Sequence, residues 1–162
     1  MIGGLVSGGQ TGVDRAALDV ALELGIPCGG WCPRCRKAED GIIPERYPLV
    51  ETPAKSYRQR TRWNIRDSDA TLILAWGKPE GGTQLTVDEC RRSGKPHLVI
   101  DMAGQADLTE AVGAAGRWIH ETLPKGILNV AGPRASQHPG LYDRARRFLR
   151  ALLGGEELGR GK

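Results

Sequence analysis

The chain has 162 residues, 40% of them hydrophobic, and a formal net charge of +4. That length fits one domain with an ordinary core and leaves little room for a second. No stretch approaches the ~20 apolar residues of a membrane span. The opening MIGGLVSGG reads as a strand and a turn rather than a secretory leader, so a cytoplasmic protein is expected.

Leu5 and Val6 end a short apolar run that predicts a strand, and Ser7-Gly8-Gly9-Gln10-Thr11-Gly12 follows as a glycine turn. Val13, Ala17, Val20, Ala21 and Leu24 recur at helical spacing on one face. They predict a helix from about Val13 to Leu24, stopped by Gly25. Pro27 to Thr52 is rich in glycine, proline and charge. It reads as a long, mostly irregular loop with a short extended piece at each end, and loops of that length inside a domain are usually functional. A basic helix carrying Arg58, Arg60, Arg62 and Arg66 is expected from Ser56 to Asp67. Ala70 to Ala75 is continuously apolar, as in strands buried on both faces of a parallel sheet.

Glu80-Gly81-Gly82-Thr83 leads into a helix from about Thr83 to Arg92, closed by Ser93-Gly94-Lys95-Pro96. His97 to Ile100 is a further buried strand, and Leu108 to Leu123 a helix. Ile127 to Val130 is the last strand and ends in Ala131-Gly132-Pro133-Arg134. The final helix, about Pro139 to Leu153, directs Leu141, Ala145, Phe148, Leu149 and Leu152 to the core. The reading is a single Rossmann-like ligand-binding domain over 1–153 and a flexible tail over 154–162. Strands alternating with helices give an α/β class, a three-layer fold with a parallel sheet and helices on both faces. Ligands of such sheets bind beyond the carboxyl ends of the strands. There the topology gathers Ser7 to Gly12, Glu80 to Thr83 and Ala131 to Arg134.

Gly8, Gly9 and Gly12 let the backbone turn tightly and bring its N–H groups near a ligand. The following helix offers unpaired N–H groups to the same place, the physical basis of anion binding. Gln10 and Thr11 add side-chain donors. The spacing is not a dinucleotide fingerprint, and there is no Walker lysine. Gly81-Gly82-Thr83 repeats the arrangement, with Thr83 either capping its helix or meeting a phosphate. Arg134 supplies a fork suited to oxyanions. The arginines of the basic helix, like Arg144, Arg146, Arg147 and Arg150 in the last one, read as solvated faces or as a nucleic-acid patch with thin aromatic support from Tyr57 and Trp63.

Cys28, Cys32, Cys35 and Cys90 do not make a disulfide framework, and Cys32-Pro33-Arg34-Cys35 lacks the second pair that a zinc site needs. No metal is expected. Adjacent Glu39 and Asp40, and adjacent Asp88 and Glu89, make no acid–base dyad by themselves and read as solvated. Catalytic residues are unknown at this level.

Several ordered segments are recognisable together: Ser7 to Asp19, Gly30-Trp31-Cys32-Pro33, Ala38-Glu39-Asp40-Gly41, Arg60-Thr61-Arg62-Trp63-Asn64, Ser68 to Leu72, Gly81-Gly82-Thr83 and Leu128 to Ser136. In these the chain resembles the molybdenum carrier family (molybdenum cofactor carrier protein-like). That family resembles the wider Rossmann-like group of the lysine-decarboxylase-like phosphoribohydrolases. The resemblance implies a homo-oligomer, dimer or tetramer, and molybdenum cofactor as bound cargo, a pterin with a terminal phosphate; a molybdoenzyme acceptor is a further possible partner. Cys35 stands where this family is expected to carry glycine. The phosphoribohydrolases have a longer Pro-Gly-Gly-x-Gly-Thr loop with a glutamate shortly after, whereas here Asp88 and Glu89 come later.

The function expected is a binding or carrier protein for molybdenum cofactor or a related phosphorylated pterin or nucleotide. The alternatives are a nucleotide N-glycosidic hydrolase with Asp88 or Glu89 as acid, and a nucleotide sensor. The expected ligand set is Gly8, Gly9, Gln10, Thr11, Gly12 and Asp14 in the first loop and helix start. To these are added Trp31, Asp40 and Gly41 in the long loop, which would cover a ring system, and Arg60, Thr61 and Asn64 on the basic helix. Gly81, Gly82 and Thr83 in the second loop and Gly132, Pro133, Arg134 and Ser136 in the last complete it.

Overall fold

Residues 1–104 and 107–155 are described by the structure, a computed structural model. Its main sheet joins β1 (Gly4–Val6), β2 (Cys28–Gly29), β7 (Ala70–Ala75), β8 (His97–Asp101) and β9 (Ile127–Ala131). The spatial order is β2-β1-β9-β7-β8, with every pairing parallel. All six residues of β7 are buried, because helices cover both sides of it. α1 (Val13–Leu24) packs on α5 (Leu141–Gly154), and α4 (Thr109–Thr122) lies beside α5 on that face. α2 (Tyr57–Arg66) and α3 (Gly81–Ser93) pair on the other. The expected α/β three-layer fold is therefore the one observed.

The strand order has a simple physical reading. Counting from β9 as the first strand, then β1, β2, β7 and β8, the order becomes 3-2-1-4-5, that of the dinucleotide-binding sheet. The chain thus follows a Rossmann path entered at a different point. The crevice where crossovers diverge lies beside β9, between the carboxyl ends of β1 and β7. β9 sets the register between them: Val6 and Thr71 both stand beside Asn129, whose side chain donates to Thr71 Oγ1 at 3.2 Å, so β7 runs on past the end of β1 to Ala75. Ser7 Oγ donates across to the Val130 carbonyl at 2.7 Å.

The segment from Pro27 to Thr52 is more ordered than its composition predicts. Its extended ends are β2, which edges the main sheet, and β3 (Trp31–Cys32), which pairs in parallel with β6 (Val50–Glu51). Between them β4 (Lys37–Ala38) and β5 (Gly41–Ile42) form a small antiparallel hairpin. One guanidinium organises the rest. Arg36 donates to the carbonyls of Ile43, Pro44, Tyr47 and Leu49, at 2.9 to 3.2 Å. Ile43, Tyr47 and Leu49 are buried in the core as a result. The position of Cys35 has φ +65, in the left-handed region where glycine carries no Cβ penalty. This gives the expected family glycine its physical reason.

Other boundaries differ slightly. α3 begins at Gly81, and its N-cap is Glu80, which makes no side-chain cap bond; Thr83 sits inside the first turn instead of capping it. α5 begins at Leu141 after a left-handed Gly140. Leu24, put on the core face by its spacing, ends α1 exposed. The predicted tail begins inside α5, which reaches Gly154, and 156–162 lie outside the described residues.

Candidate functional site

The two glycine turns of the sheet edge have opposite environments. In the first, the N–H groups of Gln10, Thr11 and Val13 are taken by the protein. Gln10 N–H donates to Asp14 Oδ2 (3.1 Å), Thr11 N–H to Gln10 Oε1 (3.0 Å), and Val13 N–H to the Pro133 carbonyl (3.4 Å). The Thr11 hydroxyl donates to Glu39 and accepts from Ala135 N–H. Gly9 lies under Leu49 and Ile43, so closely that a Cβ would come within 2.5 Å of Leu49 Cδ1. Gly12, at φ +81, is backed against the Pro133 carbonyl and Ala135 N–H. The long loop is locked over this turn. Glu39 accepts from Ser136 N–H (3.1 Å) and Ser136 Oγ (2.6 Å), and Asp40 takes a bidentate fork from Arg15. Burial opposes ionisation of Glu39, but the Ser136 and Thr11 bonds hold its carboxyl below the ordinary range. The Arg15 fork does the same for Asp40.

The second turn is open. Nothing stands within 4 Å of a Cβ built on Gly81 or Gly82. Thr83 and Gln84 N–H both return to the Glu80 carbonyl, while the cap has no side-chain acceptor. This end of α3 forms one wall of a cleft of about 100 Å³. Of the expected residues, Gly8, Gln10, Asp14, Arg60, Thr61, Asn64, Gly82, Thr83, Gly132, Pro133 and Arg134 line it. Arg60 crosses its floor. Its Nη1 donates to the Gly8 carbonyl (2.9 Å) and lies 3.6 Å from Asp14 Oδ2, while its buried Nε has no hydrogen-bond partner. Gly8 permits this approach, since a Cβ there would collide with the Arg60 side chain. Burial raises the Asp14 carboxyl above its ordinary pKa, against the lowering pull of Arg60 and of the Gln10 N–H.

Tyr57, also in the lining, collects positive charge. Lys37 Nζ lies 5.2 Å from its ring centroid, and the Arg60 and Arg134 guanidinium carbons 5.3 and 5.7 Å. Cations over an aromatic face are attracted by its quadrupole. The cleft thus combines a helix N-terminus with two arginines.

Residues 5–153 match the circularly permutated YpsA SLOG family. The chain belongs to that family. A crystal structure of a "putative molybdenum carrier protein" from Syntrophus aciditrophicus SB is 41% identical, covering 94% of this chain and 95% of that one, with a TM-score of 0.90. No curated protein matches the chain. The family's permutation is the displaced entry point seen in the strand order, and the resemblance read from the sequence motifs is borne out.

Within this family fold the remaining expected residues fall outside the cleft. Gly9, Thr11, Gly12, Asp40 and Ser136 belong to the closed turn and its lock, as above. Gly41 is exposed on β5. Trp31 lies edge-on to Trp63, centroids 4.7 Å apart, and its indole N–H donates to Asp67 (2.8 Å). Asn64, itself in the cleft lining, holds Trp31 there by clamping its backbone through both side-chain polar atoms. Gly81 lines a second recess, which shares Thr83, Pro133 and Gln137 with the first.

Sequence reasoning missed Leu85, Thr86, Asn129 and Gln137 as lining residues. Tyr57 and Lys37 carried no signal for their meeting. The carboxylates proposed for glycosidic cleavage are engaged elsewhere. Glu89 is buried, not solvated, between Arg92 and Arg62 (3.3 Å), and the Arg92 hydrogen bond lowers its pKa. Asp88 is exposed and accepts from Gln84 (2.8 Å). Neither lines the cleft. The basic helix is not a uniform wet face either: Arg60 is buried, and Arg62 and Arg66 pair with Glu89 and Asp67. Among the described residues no cluster of His, Cys, Asp and Glu suits a metal, and no helix is long and apolar enough to cross a membrane. All four cysteines are free thiols, with Cys32 buried and Cys35 exposed.

Proposed function

We propose that this protein binds a small phosphate-bearing molecule in the cleft beside β9 and acts as its carrier, with molybdenum cofactor as the cargo. The phosphate lies against the N–H groups that open α3 and the guanidinium of Arg60, with Arg134 and the Thr83 hydroxyl completing the shell. One observation carries this reading: the buried Nε of Arg60 has no protein partner in a side chain that lines the cleft. An unpaired buried donor is destabilising by about 1–3 kcal/mol, more if charged, so a small turn of the Arg60 side chain that brings Nε to an oxyanion in the cleft is favoured. Helix N-termini and arginine forks both favour phosphate. The carrier role is supported by the name of the Syntrophus protein, a molybdenum carrier, and the pterin cargo by the resemblance carried in the sequence motifs. A cytoplasmic homo-oligomer that hands its cargo to a molybdoenzyme completes the proposal.

The native mass spectrum of freshly purified protein tests it. The expected result is an added mass of a phosphorylated pterin, with or without molybdenum, that is lost in Gly82→Asp. A nucleotide mass instead would replace the pterin carrier with a nucleotide binder at the same cleft. Undiminished cargo in Gly82→Asp would put the site elsewhere on the molecule.

A further inference from the structure

The second recess has about 420 Å³ of space, within the range of about 300–1,000 Å³ usual for small-molecule sites. Its walls differ from those of the cleft. Trp76, which continues β7, lies nearly parallel to His138, with ring centroids 5.3 Å apart and planes 15° apart. Trp76 also rests on the core, and the next residue is fixed, since Gly77 N–H donates to Asp101 Oδ1 at 2.8 Å. The aromatic wall is therefore set before anything binds. Lys78, Glu80 and Gln137 surround it, and their side chains have no hydrogen-bond or ion-pair partner among the described residues.

We propose that this recess is a ring subsite: a planar, hydrogen-bonding heterocycle of the pterin or purine kind stacks against the Trp76–His138 wall while the phosphate of the same molecule sits in the cleft. The proposal rests on the phosphate reading above and adds where the rest of the ligand goes. Thr83, Pro133 and Gln137 are common to both spaces, so a ligand passes from one to the other along a continuous wall. Fused aromatic rings stack on indole and imidazole faces with little regard to exact register. Edge groups supply selection. The Glu80 carboxylate can accept from the paired donors that guanine and pterin share, a ring N–H and the adjacent 2-amino group. Trp31, the aromatic residue singled out in the sequence for covering a ring, is held against Trp63 and Asp67 and lines neither space.

Calorimetric titration with two probes separates this proposal from the reading that it rests on. GMP carries the ring and the phosphate; ribose 5-phosphate carries the phosphate alone. Wild-type protein is expected to bind GMP about tenfold or more tightly than ribose 5-phosphate, as a stacked base contributes. Trp76→Leu and, separately, His138→Ala should shrink that ratio while ribose 5-phosphate affinity stays within about twofold of wild type, which also reports an intact cleft. Equal binding of the two probes by wild type, or a ratio that both variants preserve, overturns the ring subsite and leaves the phosphate cleft standing. No binding of either probe overturns both.

Discussion

The two glycine turns that follow β1 and β7 look alike as sequence and differ as chemistry. Each joins a buried strand to a helix. After β1 the turn is roofed by Leu49 and Ile43 and stitched by Glu39, Asp14 and the Pro133 carbonyl. After β7 the turn faces open space, and the cap position supplies no side-chain acceptor. Glycine serves close packing in one case and access in the other. A glycine-rich strand-to-helix turn therefore signals that backbone must be approached, without telling whether the protein or a ligand does the approaching.

That contrast can be broken most severely at Gly12. Gly12→Ala puts a Cβ at φ +81, within 2.5 Å of the Pro133 oxygen and 2.8 Å of Ala135 N. Left-handed strain of about 1–3 kcal/mol adds to these backbone collisions, so urea unfolding should show a loss of about 3 kcal/mol or more. A loss below about 1 kcal/mol would mean that the closed turn has slack and can open.

Next is Arg60→Gln, which strips Asp14 of its buried cation and should destabilise by about 2–4 kcal/mol near neutral pH. The pH dependence has a definite sign. A carboxyl whose folded pKa is raised above its unfolded value of 3.8 keeps its full stabilising contribution only below that value and loses it as pH rises to the folded one. Without Arg60 the folded value rises further. The variant should accordingly be closer to wild type in stability at pH 5 than at pH 8; a gap that widens on acidification would contradict the assignment.

Gly82→Ala sharpens the comparison from the open side. Gly82 is helical and has space above it, so stability should change by less than about 1 kcal/mol, in either direction. The methyl group nevertheless intrudes on the cleft, and affinity for a phosphate-bearing ligand should fall about tenfold, or about 1.4 kcal/mol. Unchanged affinity would show that the open turn is not where the phosphate rests.

The smallest effect is at the lock. The lowered pKa of Glu39 gives stability that is present above its unfolded value and lost as pH falls through the folded one. Between pH 7 and pH 3, wild type should lose more stability than Glu39→Gln, by about 1 kcal/mol or less. Parallel acid limbs would mean that the lock does not hold the folded loop.

Much of the fold was readable because it rests on local patterns. Six consecutive apolar residues predicted β7, helical spacing predicted α1 and α5, and the gathering of three loops at one sheet edge followed from parallel topology. What was not readable depends on partners distant in sequence. The roof over Gly9 comes from Ile43 and Leu49, which reach it only because Arg36 gathers four carbonyls. Burial of Glu89 had a local half, Arg92 one turn on, and a remote half in Arg62. Likewise Arg60 and Arg134 were each legible as anion ligands, but their meeting around Tyr57 was not.

The place of β9 bears on how the chain acquires this structure. Among the described residues it is the last strand in sequence, yet it stands in the middle of the sheet, with β1 on one side and β7 on the other. Without it the remaining parallel pairs, β1 with β2 and β7 with β8, share no strand, and each would present an exposed inner edge. Closure must then join residues near the start of the chain to residues near its end, a long-range step of the kind that slows folding. A nascent or truncated chain that stops short of Ile127 has neither a continuous sheet nor a cleft, and its open edges leave it prone to aggregation.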